Sequence, residues 1–201
     1  DTGQALGIAI NAKWTATFIG LKVGLFTGEG RNHSGCIYFD ALSLPDDVFE
    51  HQTPSVTKLN LDKLLLQLAP RKKNTHKGQC GHTLIIGGDH GYGGAILLSA
   101  EASARMGSGL TTVATQAEHC GPLLSRYPEV MVRNVNHKDQ LLPLIEAADV
   151  IVIGPGLGQS AWSEQMLQTT LQCNKPVIYD ADALNLLCKK TFACARSKFH
   201  D

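Results

Sequence analysis

Short apolar runs alternate with amphipathic or small-residue stretches through the second half of the chain. The apolar runs predict strands at residues 82–86, 110–115, 150–153 and 176–179. The stretches between them predict helices at residues 95–106, 140–147 and 162–172. Strands that alternate with helices at this spacing are typical of right-handed βαβ units. The pattern therefore predicts an α/β fold, with a mainly parallel sheet and helices on both faces.

The first part of the chain has a different pattern. Residues 14–18 and 36–39 have strand composition and flank a glycine-rich stretch. Residues 51–76 are polar, basic towards both ends, and carry one short amphipathic run at 59–68, which predicts a linker with a helix. Two or three strands in about fifty residues cannot easily bury one another. We therefore expect residues 1–50 to be the end of a domain whose beginning is absent.

Three unusual stretches follow predicted strands at equivalent places. They are "GGDHGYGG" after residue 86, "GPGLG" at 154–158 and "DADALN" after residue 179. The carboxyl ends of parallel strands share one edge of a sheet, and open α/β folds bind their ligands at that edge. We therefore expect the three stretches to converge on one ligand site.

Glycine residues and a helix start suggest what that site would bind. A missing Cβ permits positive φ and brings backbone N–H groups close to phosphate or hydroxyl oxygens, and a helix that opens near Ala95 would aim free amides at the same space. Neither glycine cluster is a standard nucleotide motif, since Gly94 stands where a P-loop requires lysine. A plain turn is the alternative for each cluster, and helix capping is the alternative for Asp180 and Asp182.

Composition narrows the partners and the chemistry. Eighteen basic and eighteen acidic residues in 201 leave no net field to attract nucleic acid or an anionic membrane. No apolar run is long enough for a membrane span, so a cytoplasmic protein is expected. Six scattered cysteines form no CxxC pair and no HExxH occurs, so neither a metal site nor a disulfide framework is expected. We interpret His82 and His90 as strand-edge and loop residues, and no motif supports nucleophilic catalysis.

Four stretches together resemble the NAD(P)H-hydrate dehydratase family over residues 77–188. They are "KGQCGHTLIIGGDHGYGGAILLSAEASARMGSGLTTVAT", "YPEVM", "ADVIVIGPGLG" and "PVIYDADALNLL". The resemblance implies a ribokinase-like three-layer α/β/α fold for residues 77–201, as the N-terminal half of a dehydratase domain. The stretch "DTGQALGIAINAKWTATFIGLKVGLFTGEGRNHSG" is similar to the last part of the Rossmann-like NAD(P)H-hydrate epimerase domain that bacteria fuse ahead of the dehydratase. Residues 1–50 are therefore expected to belong to an epimerase domain.

The resemblance also implies an activity and a set of binding residues. Family members remove water from the S form of hydrated NADH or NADPH by ADP-dependent phosphoryl transfer and loss of phosphate, and the epimerase interconverts the R and S forms. ADP, with ATP as the alternative nucleotide, and Mg²⁺ are the implied cofactors, K⁺ belongs to the epimerase part, and self-association is expected. The implied substrate contacts are first Ala95 and Gly156. The neighbouring candidates are loop-shaping glycines and two carboxylates, Gly94, Gly154, Gly158, Asp180 and Asp182.

The chain also departs from the family pattern. Family members continue beyond the DADALN helix with a histidine-bearing strand, a KGxGT-like nucleotide loop and a GxGD motif that holds the catalytic aspartate, and none of these occurs here. No catalytic residue is therefore assigned, and the 201-residue chain is expected to be inactive with an exposed sheet edge. Two alternatives are a ribokinase-like kinase of a small alcohol and a nucleotide-binding module without catalysis.

Overall fold

The computed structural model describes residues 2–189, apart from residues 46, 51, 52, 55 and 69. Two compact units divide the chain, residues 1–70 and residues 71–201. The boundary falls inside the segment 51–76 that the sequence predicts to be a linker; the three-part division itself stays a prediction. The tail at 190–201, with Cys194 and most of "KKTFACARSKFHD", lies outside the described residues.

The first unit contains a two-stranded parallel sheet. Strands β1 (Trp14–Phe18) and β2 (Cys36–Asp40) pair in register and confirm the two predicted strands. Three short helices accompany them, α1 (Gly30–His33), α2 (Asp47–Glu50) and α3 (Leu61–Leu65). Helix α3 is shorter than the amphipathic run 59–68. Of the described residues in this unit only Thr17 and Ser34 are buried, so these strands have no apolar core of their own.

The second unit is built on one parallel sheet of five strands in the order β5-β4-β3-β6-β7. The strands are β3 (His82–Ile86), β4 (Leu110–Thr115), β5 (Met131–Asn134), β6 (Val150–Ile153) and β7 (Val177–Tyr179). The predicted parallel sheet is confirmed, with β3, β4 and β6 at their predicted bounds. The sequence analysis missed β5, because two of its four side chains are polar and exposed.

Four helices connect these strands, and a fifth follows β7. They are α4 (Gly93–Met106), α5 (Ala117–Arg126), α6 (Lys138–Ala147), α7 (Ala161–Leu171) and α8 (Asp182–Leu187). The predicted start of α4 at residue 95 is two residues late, since Gly93 and Gly94 form its first turn. Helix α5 was not predicted. Within the described part of the chain, no helix is long and apolar enough to cross a membrane.

Alternating side chains of the sheet supply two cores, one on each face. Leu84 and Ile86 face a cluster that includes residues of α6, α7 and α8. Ile85 faces the opposite cluster, with Ile96 of α4 and Leu123 of α5. A strand buried on both faces reads as a continuous apolar run, which is why the sequence shows β3 so clearly. The second unit therefore has three layers, α/β/α.

Candidate active site

The site lies where the strand order of the sheet reverses direction. From β3 the chain crosses to β4 on one side, and later to β6 on the other. A reversal of this kind opens a crevice beyond the carboxyl ends of the two strands. The loops that follow β3 and β6 meet there, because Gly88 N–H donates to the Pro155 carbonyl at 3.1 Å and Asp89 N–H donates to the Gly156 carbonyl at 2.8 Å.

The third stretch, after β7, reaches the same edge. Asp180 N–H donates to the Ile153 carbonyl at 2.9 Å, and Gly158 N–H donates to Oδ2 of Asp182 at 3.0 Å. The predicted convergence of the three stretches is thus confirmed. Because hydrogen bonds join each stretch to the β6 loop, the β6 loop is the centre of the site.

Glycines in the β6 loop allow an unusually close approach of backbone to backbone. Gly154 has φ of 134°, and a Cβ built on it would lie 1.8 Å from the carbonyl oxygen of Asp180. Gly156 has φ of 59°, and a Cβ there would lie 2.3 Å from the carbonyl oxygen of Tyr92. Side chains are excluded at both positions by strain and by contact. The loop is therefore packed tightly between the β3 loop and the β7 loop, which a plain turn does not require.

Unpaired backbone donors occur in the first turn of α4 and in the β6 loop. Helix α4 has Tyr92 at its N-cap, no side-chain cap and no acidic residue in its first turn. No described residue accepts a hydrogen bond from the N–H groups of Gly94, Ala95 or Gly156. A Cβ built on Gly156 would lie 3.4 Å from Cβ of Ala95, so the two segments are neighbours. Free N–H groups at the positive end of a helix form a site for an anionic or hydroxyl oxygen.

The remaining candidate residues differ in exposure and in bonding. Gly154 and Gly158 are buried, and Gly154 N–H already donates to the Ile86 carbonyl at 3.2 Å, so both glycines shape the loop. Asp180 is exposed but does not cap α8, because Ala181 occupies the N-cap position without any side-chain cap; capping is the wrong interpretation for Asp180. Asp182 lies in the first turn of α8, where it accepts the Gly158 N–H.

One residue at this site was missed by sequence reasoning. Asp89, in the β3 loop, is only 7% exposed. Its Oδ1 accepts from His90 N–H at 2.9 Å, and its Oδ2 accepts from the Ser163 hydroxyl at 3.3 Å. An aspartate inside "GGDHGYGG" has the appearance of a solvated loop residue in the sequence. Its burial depends on contacts that are distant in the sequence, with Gln116 and with Ser163 of α7.

An ion pair borders the β3 loop. Nδ1 of His90 lies 3.0 Å from Oε2 of Glu118, whose Oε1 accepts from Gly91 N–H at 2.9 Å. The hydrogen bond to Glu118 raises the pKa of His90. The Gly91 N–H, and then His90, lower the pKa of Glu118. His82 instead begins β3, with its ring bonded to the hydroxyl of Thr112 at 2.7 Å, so both histidines occupy the places that the sequence analysis gave them.

Comparison with known proteins identifies the family. The family model described as NAD(P)H-hydrate dehydratase matches residues 83–199, which contain all three site stretches. The chain belongs to the NAD(P)H-hydrate dehydratase family. The curated bifunctional NAD(P)H-hydrate repair enzyme of Escherichia coli strain K12 is 46% identical over 187 residues, covering 93% of this chain. The chain spans only 36% of the length of that relative.

Solved structures agree with this assignment. A ribokinase-like superfamily protein from Enterococcus faecalis V583 is 39% identical, with a TM-score of 0.58 over 64% of this chain and 46% of that chain. The ADP/ATP-dependent NAD(P)H-hydrate dehydratase from Bacillus subtilis, co-crystallised with ATP/Mg²⁺, is 30% identical, with a TM-score of 0.50 over 58% of this chain and 43% of that chain. The predicted ribokinase-like fold is confirmed.

The described residues do not provide a metal site for this dehydratase-family chain. Between residues 2 and 189, the described part contains no group of three or more His, Cys, Asp or Glu side chains that could hold a metal ion. Cys36, Cys80, Cys120, Cys173 and Cys188 form no disulfide bond within the described part of the chain. Of the three carboxylates at the site, Asp89 and Asp182 already accept hydrogen bonds from protein donors, and Asp180 alone is exposed. These residues therefore do not fit a Mg²⁺ ion held by protein ligands alone.

Proposed function

We propose that this chain belongs to an enzyme of nicotinamide nucleotide repair that dehydrates (S)-NAD(P)H hydrate with ADP. One observation carries the proposal: Ala95 and Gly156, whose N–H groups have no described partner, belong to neighbouring segments at the sheet edge of a family member. The name of the Bacillus subtilis relative supports both the hydrate and the nucleotide. A lyase that acts on the hydrate is therefore favoured over a kinase that phosphorylates a different small alcohol.

The residues at the crevice would bind and orient the hydrated nicotinamide nucleotide. N–H groups of Ala95 and Gly156 donate to its phosphate or hydroxyl oxygens, and the helix dipole of α4 adds roughly half a positive charge at that end. Gly94 leaves the entrance open, since a Cβ built there would meet nothing within 4 Å. Gly154 and Gly158 hold the shape of the β6 loop. These five residues act by position, before any bond changes.

The reaction joins a phosphoryl group to the hydroxyl of the hydrate. The phosphoanhydride bond of ADP breaks, so that its β-phosphoryl group replaces the hydroxyl proton of the hydrate and AMP leaves. The carbon–oxygen bond of the hydrate then breaks, the oxygen leaves as part of phosphate, and the ring loses a proton and regains its double bond. No described residue is assigned as the acid or the base. ATP as the alternative nucleotide and Mg²⁺ are supported by the Bacillus subtilis co-crystal, but no step proposed for these residues passes through a metal.

The first unit would belong to the epimerase part of the same repair enzyme. The match to the Escherichia coli repair enzyme covers 93% of the chain and so includes most of residues 1–70, whereas the dehydratase model begins at residue 83. Asp180 and Asp182 would border the substrate site of the second unit. The proposal also includes K⁺ at the epimerase part and self-association, which rest on the family resemblance. A cytoplasmic location is included because the sequence contains no apolar run long enough for a membrane span.

Titration of the chain with (S)-NADH hydrate tests this proposal by calorimetry. We expect saturable binding that Gly94→Trp abolishes, because the indole would fill the open space in front of α4. Ala102→Trp is the matched control, an equally large side chain at an exposed position further along the same helix. Recovery of NADH absorbance on addition of ADP measures turnover in the same mixture. Saturable binding of a sugar or thiazole alcohol, with none of the hydrate, would instead indicate a kinase.

A further inference from the structure

Asp89 is a buried carboxylate whose surroundings are entirely protein. It is 7% exposed, and burial of a charged group is costly unless hydrogen bonds compensate. Oδ1 accepts from His90 N–H at 2.9 Å and from Nε2 of Gln116 at 3.5 Å. Oδ2 lies 3.3 Å from the hydroxyl oxygen of Ser163. The Ser163 hydroxyl can donate its one hydrogen to this Oδ2 or to the Leu157 carbonyl, which is 2.5 Å away. The carboxylate therefore connects the β3 loop to the N-cap residue of α5 and to α7.

The backbone of Asp89 extends these connections to both donor segments. Its N–H donates to the Gly156 carbonyl at 2.8 Å, and its carbonyl accepts from Tyr92 N–H at 2.8 Å, directly ahead of α4. Oδ2 also lies against the β6 loop, 3.1 Å from a Cβ built on Gly158. One residue thus contacts the segment that carries Gly156 and the turn that begins α4.

We propose that Asp89 is a positioning residue that fixes the separation of the Ala95 and Gly156 N–H donors and so sets the affinity for the nicotinamide nucleotide. The inference deepens the proposed function and rests on it for the identity of the ligand. Asp89 is not a catalytic residue, because both carboxylate oxygens are turned towards protein donors. Donors held in place before binding lose less entropy on association, which raises affinity without any new contact.

The test compares Asp89→Ala with a carboxylate control at the other end of β3. Asp149→Ala removes a similar bond, from His82 N–H to Oδ2 at 2.8 Å, at the amino end of that strand. At a temperature where circular dichroism shows each variant folded, we expect Asp89→Ala to raise the Kd for (S)-NADH hydrate on the order of tenfold, about 1.4 kcal/mol. Asp149→Ala should leave the Kd unchanged. Asp89→Asn should partly restore affinity, since its amide oxygen still accepts from His90 N–H.

Amide hydrogen exchange without ligand supplies a second, independent readout. We expect faster exchange at residues 91–95 and 154–158 in Asp89→Ala and no such change in Asp149→Ala. A Kd for Asp89→Ala within twofold of the unmodified chain, or unchanged exchange in both loops, would overturn the inference. If the unmodified chain binds no hydrate, the proposed function fails, and the exchange rates alone then decide whether Asp89 positions the two loops.

Discussion

Ala95→Asp should be more stable than Ala95→Asn and should bind the ligand more weakly. Ala95 is exposed in the first turn of α4, which contains no acidic residue and no side-chain cap. A carboxylate in the first turn interacts favourably with the helix dipole by about 0.3–1 kcal/mol. Aspartate also has a lower helix propensity than alanine, so the proper reference is Ala95→Asn, which has a similar shape and propensity without the charge. Ala95→Asp should therefore be more stable than Ala95→Asn by about 0.3–1 kcal/mol.

The same carboxylate should repel the phosphate of the ligand. Two unit charges 4 Å apart interact by about 1 kcal/mol in bulk water and about 4 kcal/mol at an effective dielectric constant of 20. A partly exposed site lies towards the lower value, so a loss of roughly 1–3 kcal/mol, or about 5- to 150-fold in Kd, is expected relative to Ala95→Asn. Added salt should reduce this loss, because the Debye length falls from about 10 Å at 0.1 M to about 3 Å at 1 M.

Urea unfolding and calorimetric titration with (S)-NADH hydrate measure the two effects on the same samples. Ala102→Asp places the same charge on an exposed position of α4 beyond its first turn, and it should neither gain the dipole stabilisation nor weaken binding. Equal affinities of Ala95→Asp and Ala95→Asn for the hydrate, at low salt, would refute the assignment of the anion site to this helix end. A stability difference without an affinity difference would do so most clearly.

Three further predictions concern the loops. Gly156→Ala should lower the free energy of unfolding by about 1–3 kcal/mol, because Gly156 has a positive φ and lies against a carbonyl oxygen. Gly94→Ala should raise it by about 0.5–1 kcal/mol, since Gly94 is helical and a Cβ there meets nothing. Equal effects of the two substitutions in urea unfolding would contradict this geometry. Ala181→Gly should stabilise by about 1 kcal/mol, since Ala181 has φ of 41° and ψ of −108°, and a measured loss would exclude backbone strain there. The raised pKa of His90 implies stability that is present below pH 6.5 and lost as pH rises through the raised value. The lowered pKa of Glu118 implies stability that is present above pH 4.5 and lost as pH falls through the lowered value, so Glu118→Gln should return the pKa of His90, followed by NMR, towards 6.5.

The helices and strands predicted most accurately from the sequence are those whose pattern of side chains is set within the segment itself. Apart from His82 at the start of β3, strands β3, β4 and β6 are continuous runs of apolar and threonine side chains, and burial on both faces makes such runs visible. Helix α5 was missed because Gly121 and Pro122 interrupt it, and its amphipathic pattern overrides their unfavourable propensity only after packing. The edge strand β5 was missed because Arg133 and Asn134 interrupt its apolar pattern.

The features of the candidate site also divide into those with a local sequence signal and those that depend on distant contacts. Strand ends and glycine clusters are local signals, and the rule for parallel sheets was enough to predict their convergence. The role of Asp89 was not predictable, because its burial depends on Ser163, 74 residues away in the chain. Asp180 does not cap α8, because the chain turns through a positive φ at Ala181 and Ala181 becomes the N-cap. An alanine at that position gives no sign of a positive φ in the sequence.

The strand order also fixes when, during synthesis, the site can exist. Thr83 of β3 pairs with Thr111 of β4 on one side, but its partner on the other side, Val150 of β6, is made much later. Closing such a long loop is slow compared with local pairing, so β3, β4 and β5 can associate on the ribosome first. Ala95 and Gly156 become neighbours only after β6 has emerged and docked. A nascent chain can therefore pair three of the five strands before its ligand site exists.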